Sequence, residues 1–210
     1  MTDDFQNYSI PDYEEEETPA GFRYTMWRIV PQIMIMPTSG WRLAKENGPA
    51  PEIAVLRFLL PLSLLSGASV FFSLLYPREI DPLGADAGFT VLLVNAVIQF
   101  CSFFIGYFLA LVFAKLLLPK GDRFLPSSPY GKLLVMAAIG SLAFFHIMFE
   151  VLPMLDSILV FLPLWTIFII YKGMEISGIQ EEKSLLAVGV ICVVTVCAPT
   201  MIEWILLLFT

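Results

Sequence analysis

Residues 89–118 read FTVLLVNAVIQFCSFFIGYFLALVFAKLLL, with Lys115 as the one charge. An α-helix needs about 20 apolar residues to cross about 30 Å of hydrocarbon. This run exceeds that length, so it reads as a membrane span with residues left over for tilt or protrusion. Working outward, four more apolar stretches of spanning length appear. One precedes it near 54–76, and three follow near 131–153, 155–176 and 184–209. Almost nothing separates the first two of these later stretches, so a tight antiparallel hairpin is expected there, with Pro153 and Asp156 at its turn.

The whole composition agrees. Hydrophobic residues make up 58% of the 210, and the mean hydropathy is +0.79. An ordinary soluble domain holds roughly 45–50% apolar residues. The excess has to face lipid or a neighbouring helix. The expected fold is therefore an all-α membrane protein, a five-helix transmembrane bundle over 54–210 with an interfacial amphipathic helix in front of it.

Two segments lead into the bundle. Residues 1–20 carry seven acids (Asp3, Asp4, Asp12 and Glu14 to Glu17) and no Lys or Arg. That composition cannot bury enough surface to offset ordering entropy, so a disordered tail is expected. It reads either as a solvated tail or as a docking segment for a basic protein partner, with Phe5, Tyr8, Ile10 and Tyr13 spaced among the acids. No basic stretch followed by an apolar one marks a cleavable signal, so the tail is expected in the cytosol. In 21–53, Phe22, Met26, Ile29, Ile33 and Met36 recur at helical spacing, with Arg23, Arg28 and Gln32 off that face. The run is too short to span. It reads as a helix lying in the membrane surface, anchored at the headgroups by Trp27, Arg28, Trp41, Arg42 and Lys45. Pro31 and Pro37 should bend or divide it, and a Pro-rich linker follows over 46–51.

The bases set the orientation. With the amino terminus in the cytosol, Arg23, Arg28, Arg42, Lys45, Arg57, Lys115, Lys120, Arg123, Lys132, Lys172 and Lys183 fall inside, and Arg78 alone falls outside. Cytosolic segments carry the excess of Lys and Arg in membrane proteins. Five spans then place Thr210 on the opposite side. Lys and Arg are not clustered as nucleic-acid binding requires.

Ionisable and amide groups inside spans are costly and invite a functional hypothesis. His146 and Glu150 share a face of the third span at i and i+4, as Asn95 and Gln99 do on the second. Glu203 lies late in the fifth span. All five fall in the outer half of the expected bundle and form a candidate site for a proton, a cation or a substrate headgroup. The plainer reading is interhelical hydrogen bonding, worth about 0.6–2 kcal/mol per contact. Cys101, Cys192 and Cys197 lie in apolar stretches without CxxC spacing and read as packing residues, so no metal and no cofactor are expected. Pro61, Pro163 and Pro199 each remove a helix N–H within a span. Signatures of known hydrolases, metalloproteases and nucleotide binders are missing, which argues against an enzyme.

The layout resembles the Yip1 family in its shorter prokaryotic form. The resemblance lies in Ile33-Met34-Ile35-Met36-Pro37 with Gly40-Trp41, in the Pro/Glu linker and Arg57-Phe58-Leu59-Leu60-Pro61-Leu62, in Gly106-Tyr107, and in Leu164-Trp165 through Tyr171-Lys172-Gly173-Met174. It covers residues 22–210. It implies five spans with the amino end cytosolic, a bacterial inner (cytoplasmic) membrane, and a non-enzymatic role in organising or scaffolding membrane partners or lipids. Eukaryotic members of that family interact with Rab-type GTPases, and their long cytosolic region carries an Asp-Leu-Tyr-Gly-Pro motif before the first span. The nearest string here, Asp81-Pro82-Leu83-Gly84, differs in place and wording, so no partner-binding residue is carried over. The rival expectation is a small transporter or channel component using the polar cluster. A homo-oligomer stays open.

Overall fold

The computed structural model describes residues 25–74, 88–118, 125–152, 154, 161–177 and 181–208. The acidic tail, Phe22, Arg23, Pro153, Asp156, the start of the fourth expected span, and the loop cations Arg78, Lys120 and Arg123 lie outside them. The described elements are all helical.

The lead-in segment is two helices, α1 (Met26–Ile35) and α2 (Pro37–Asn47). Between them Met36 adopts φ −131° and ψ 76°, outside the helical region. Pro37 accounts for the break. It drives the preceding residue out of the α conformation, yet it suits the first turn of a new helix. Pro31, by contrast, is accommodated inside α1. Met26, Ile29 and Ile33 are buried, as the periodicity predicts, together with Val30. Met36, read on the same face, is 62% exposed because it occupies the bend.

α2 folds back along α1. At Gly40 the backbones nearly touch: a Cβ there would stand 2.5 Å from the backbone nitrogen of Ile33. At the other end Thr25 and Met26 share a crevice with Pro49 and Ala50. The two helices are thus an antiparallel hairpin with its tip at Met36.

Among the described residues, four helices are long and apolar enough to cross a membrane. They are α3 (Pro51–Phe72), α4 (Phe89–Leu117), α5 (Pro129–Val151) and the Leu186–Leu207 part of α7 (Glu181–Leu207). α3 includes a π-helical turn at Val55–Leu59, just ahead of Pro61. Between α5 and α7 runs α6 (Leu162–Ser177), 16 residues of the expected fourth span.

Close contacts fix the directions. Lys132 meets Glu52 at 3.5 Å, and Gly140 further along α5 packs on Phe58 and Leu62, so α3 and α5 run parallel. The Tyr130 hydroxyl donates to the Gly173 carbonyl, and the Ser141 and Thr166 hydroxyls lie 3.3 Å apart, so α5 and α6 run antiparallel. α4 joins α5 through a short link and passes it at Phe103 and His146. Gly67 admits the Ala96 carbonyl of α4, and Gly106 of α4 lies against Pro199 of α7. Small residues at these crossings let backbones approach, which is how helices associate where lipid tails are as apolar as leucine. The core centres on α5, with Leu134, Met136 and Ile139 fully buried.

Candidate functional site

The most constructed part of the molecule is the seam between the hairpin and α6. Trp41 is fully buried, and its indole N–H donates to the Ile169 carbonyl at 2.8 Å. Its ring lies against Gly173, where a Cβ would come within 2.8 Å of Trp41 Cε2. Only glycine leaves room for the indole. Tyr130 adds its hydroxyl to the Gly173 carbonyl and packs its ring on Trp41 at 5.7 Å. Lys45 Nζ donates to the Ile176 carbonyl at 2.8 Å. In return Trp165 of α6 donates its indole N–H to the Met34 carbonyl at 2.8 Å.

Two of these donors, Lys45 and Trp165, go to carbonyls that the helices themselves leave short of partners. Ile176 is in the last turn of α6 and Met34 in the last turn of α1, where carbonyls have no intrahelical donor. A lysine at a helix C-terminus also opposes the negative end of the helix dipole. A third bond follows the same logic on α3. Pro61 has no N–H to offer Arg57, four residues back, and Trp27 Nε1 donates to that carbonyl at 2.8 Å. The Trp27 ring meets Phe58 edge-on at 5.1 Å. A hydrogen bond of this kind contributes about 1 kcal/mol net in water. The Trp41–Ile169 bond is buried, where water is scarcer and a lost partner costs more.

The order of contacts gives the hairpin its direction. From Met34 through Trp41 to Lys45, the partners on α6 run Trp165, Ile169 and Gly173, then Ile176. α2 therefore lies along α6 and parallel to it. From Ile176 to Trp165 the hairpin follows α6 for about 16 Å at about 1.5 Å per residue.

The expected anchors divide accordingly. Trp27, Arg28, Arg42 and Lys45 are partly or largely exposed. Trp41 is in the protein interior instead of at a surface. Arg42 lines an open groove of about 510 Å³ with Gln32, Thr38, Ser39, Glu46 and Phe168. The sequence reading singled out Arg42 there and passed over Thr38, Ser39 and Glu46. The signal was their spacing: Ser39, Arg42 and Glu46 fall on one face of a helix.

The polar group at the other end is looser. Asn95, Gln99, His146, Glu150 and Glu203 are all of intermediate exposure. His146 faces the Phe103 ring at 5.8 Å, which places the α4 and α5 members at neighbouring levels. Glu203 lies one turn beyond Pro199, and Pro199 touches Gly106 of α4. Among the described residues, no hydrogen bond or ion pair links Asn95, Gln99 or Glu203 to another side chain, and no three His, Cys, Asp or Glu gather closely enough to hold a metal ion. The cysteines are free thiols. Ser63, Ser66 and Thr195, not anticipated, carry buried hydroxyl oxygens without a hydrogen-bond partner among the described residues.

No family model matches the chain, and comparison with curated proteins and with solved structures finds no match either.

Proposed function

We propose that this chain is a non-enzymatic, five-span protein of a bacterial inner membrane that organises lipids or partner proteins from the cytosolic side. In this reading α6 is the fourth span, and the hairpin and tail are the working parts. The latch between hairpin and α6 carries it. Trp41, Lys45 and Trp165 join segments more than 120 residues apart in sequence. The two stretches joined, Met34 through Trp41 and Trp165 through Met174, are two of the four on which the Yip1 resemblance rests. A lead-in held this firmly presents a fixed surface to the membrane. Among the described residues, Asn95, Gln99 and Glu203 make no side-chain hydrogen bond or ion pair, and so offer no comparable constellation.

The hairpin then has a consequence for depth. A helix lying flat in the interface would cross a spanning α6 near a right angle, whereas this one runs along it. If α6 spans, the hairpin enters the cytosolic half of the hydrocarbon and returns. Ile35 and Met36 at the tip, 75% and 62% exposed, suit lipid there.

The test is purification of the full chain from native membranes in mild detergent, with quantitative mass spectrometry of what accompanies it. The expected result is a stoichiometric protein or lipid partner, and loss of a protein partner when residues 1–20 are deleted. A clean chain without retained lipid or protein would overturn the scaffold reading. The transport reading then follows, and proteoliposome flux abolished in a Glu150→Gln, Glu203→Gln double variant would establish it.

A further inference from the structure

The groove on the outer side of the hairpin mixes charge and lipid exposure in a way the scaffold reading leaves unexplained. Arg42 and Glu46 stand at i and i+4 on α2, both exposed, and among the described residues neither makes an ion pair. Gln32, Thr38 and Ser39 continue the polar lining toward the tip, and Phe168 of α6 closes one wall. Arg42 sits between Trp41, bonded at Ile169, and Lys45, bonded at Ile176. Its level is therefore part-way along α6, up to about 10 Å from Ile176 at about 1.5 Å per residue. Next to it on α6, Ile167, Phe168 and Tyr171 are exposed apolar or aromatic surface. If α6 spans, as proposed above and on which this inference rests, an arginine and its polar neighbours face lipid below the headgroup plane. Charged groups at that depth require a polar companion.

We infer that this groove holds the phosphoethanolamine headgroup of a membrane glycerophospholipid, the phosphate on Arg42 and the ammonium on Glu46. The complementarity is specific. A guanidinium forms paired, charge-assisted hydrogen bonds to phosphate oxygens. A primary ammonium donates hydrogen bonds to a carboxylate, which a quaternary choline cannot do. The one-turn separation of Arg42 and Glu46 suits the short bridge between phosphate and amine. The cavity of about 510 Å³ accommodates a headgroup. The acyl chains would leave over Phe168 and the exposed tip residues Ile35 and Met36.

The experiment is native mass spectrometry of the full chain with added phosphatidylethanolamine, phosphatidylcholine, phosphatidylglycerol or inorganic phosphate. Wild type should retain phosphatidylethanolamine over the other two lipids. Arg42→Gln should lower that occupancy about tenfold, the loss expected for one charge-assisted contact. Glu46→Gln should keep binding but erase the preference for the amine headgroup over phosphatidylglycerol. Both side chains are exposed, so the fold is expected to survive either change. Equal retention by wild type and Arg42→Gln, or displacement of lipid by inorganic phosphate, would overturn the site. The topology fails separately: Ile167→Cys in a background lacking Cys101, Cys192 and Cys197 should resist a water-soluble maleimide. Labelling there would sink the spanning role of α6 whatever the lipid result.

Discussion

The two ends of this bundle use polar groups in opposite ways. At the hairpin end, Trp41, Lys45, Trp165 and Trp27 each meet a backbone carbonyl at 2.8 Å. At the other end, Asn95, Gln99 and Glu203 have no such partner among the described residues. The difference shows where fixed geometry matters. Long side chains bonded to carbonyls of neighbouring helices, three of them (Arg57, Met34 and Ile176) left open by a proline or a helix end, lock one arrangement of helices. Asn95, Gln99 and Glu203, without side-chain bonds among the described residues, leave the arrangement there to small-residue packing, as at Gly67 and Gly106.

Substitutions at the two ends should therefore differ in cost, and denaturant titration of the purified chain in detergent measures it. The largest effect is expected for Trp41→Ala. It empties a fully buried site, for which aromatic-to-alanine changes typically cost about 3–5 kcal/mol, and it orphans nothing on α6 that water can reach. A loss below about 1 kcal/mol, the size of an ordinary hydrogen bond, would show the seam is not closed around the indole. Gly173→Ala comes next. Its Cβ would press on the Trp41 ring and Leu134, and overpacking costs about 1–3 kcal/mol. Combined with Trp41→Ala the penalty should shrink, because the clash is then gone; full additivity would break the assigned contact. Trp27→Phe keeps an aromatic ring near Phe58 but withdraws the N–H from Arg57, a loss of about 1 kcal/mol. Restoring the N–H of residue 61 with Pro61→Ala should recover much of it, since Arg57 regains a donor from its own helix. Glu203→Gln should be smallest, within about 0.5 kcal/mol, as for substitutions that break no network. A larger change there would mean the outer end is as constructed as the inner.

Four of the five expected spans were legible as long apolar helices and the seam was not, for one physical reason. Spanning helices must be apolar on nearly every side, so 89–118 announces itself by composition alone, and its observed bounds, Phe89–Leu117, differ by one residue. The same uniformity hides packing. Trp41 reads equally well as a headgroup anchor or a core residue, and what decides is Gly173, far along the chain and silent in any local window. Pro37 was legible as a divider of the lead-in, but the return of α2 along α1 depends on Gly40 meeting Ile33, a contact across the bend that periodicity does not encode. At the end away from the hairpin the sequence put His146 at a depth similar to Asn95 and Gln99; in the structure its ring faces Phe103 of α4. Convergence of all five polar residues into one site was more than spacing can promise.

The most direct test of the hairpin is a depth measurement. Nitroxides would be placed singly at Met36→Cys and at Glu46→Cys in the background without native cysteines, and the protein reconstituted in bilayers. Relaxation by oxygen and by a water-soluble nickel chelate then reports depth. The account predicts Met36 deep in the hydrocarbon, favouring oxygen, and Glu46 near the cytosolic headgroups, favouring the chelate. Equal depth at both positions would mean the lead-in lies flat on the membrane, and the hairpin along α6 would be contradicted.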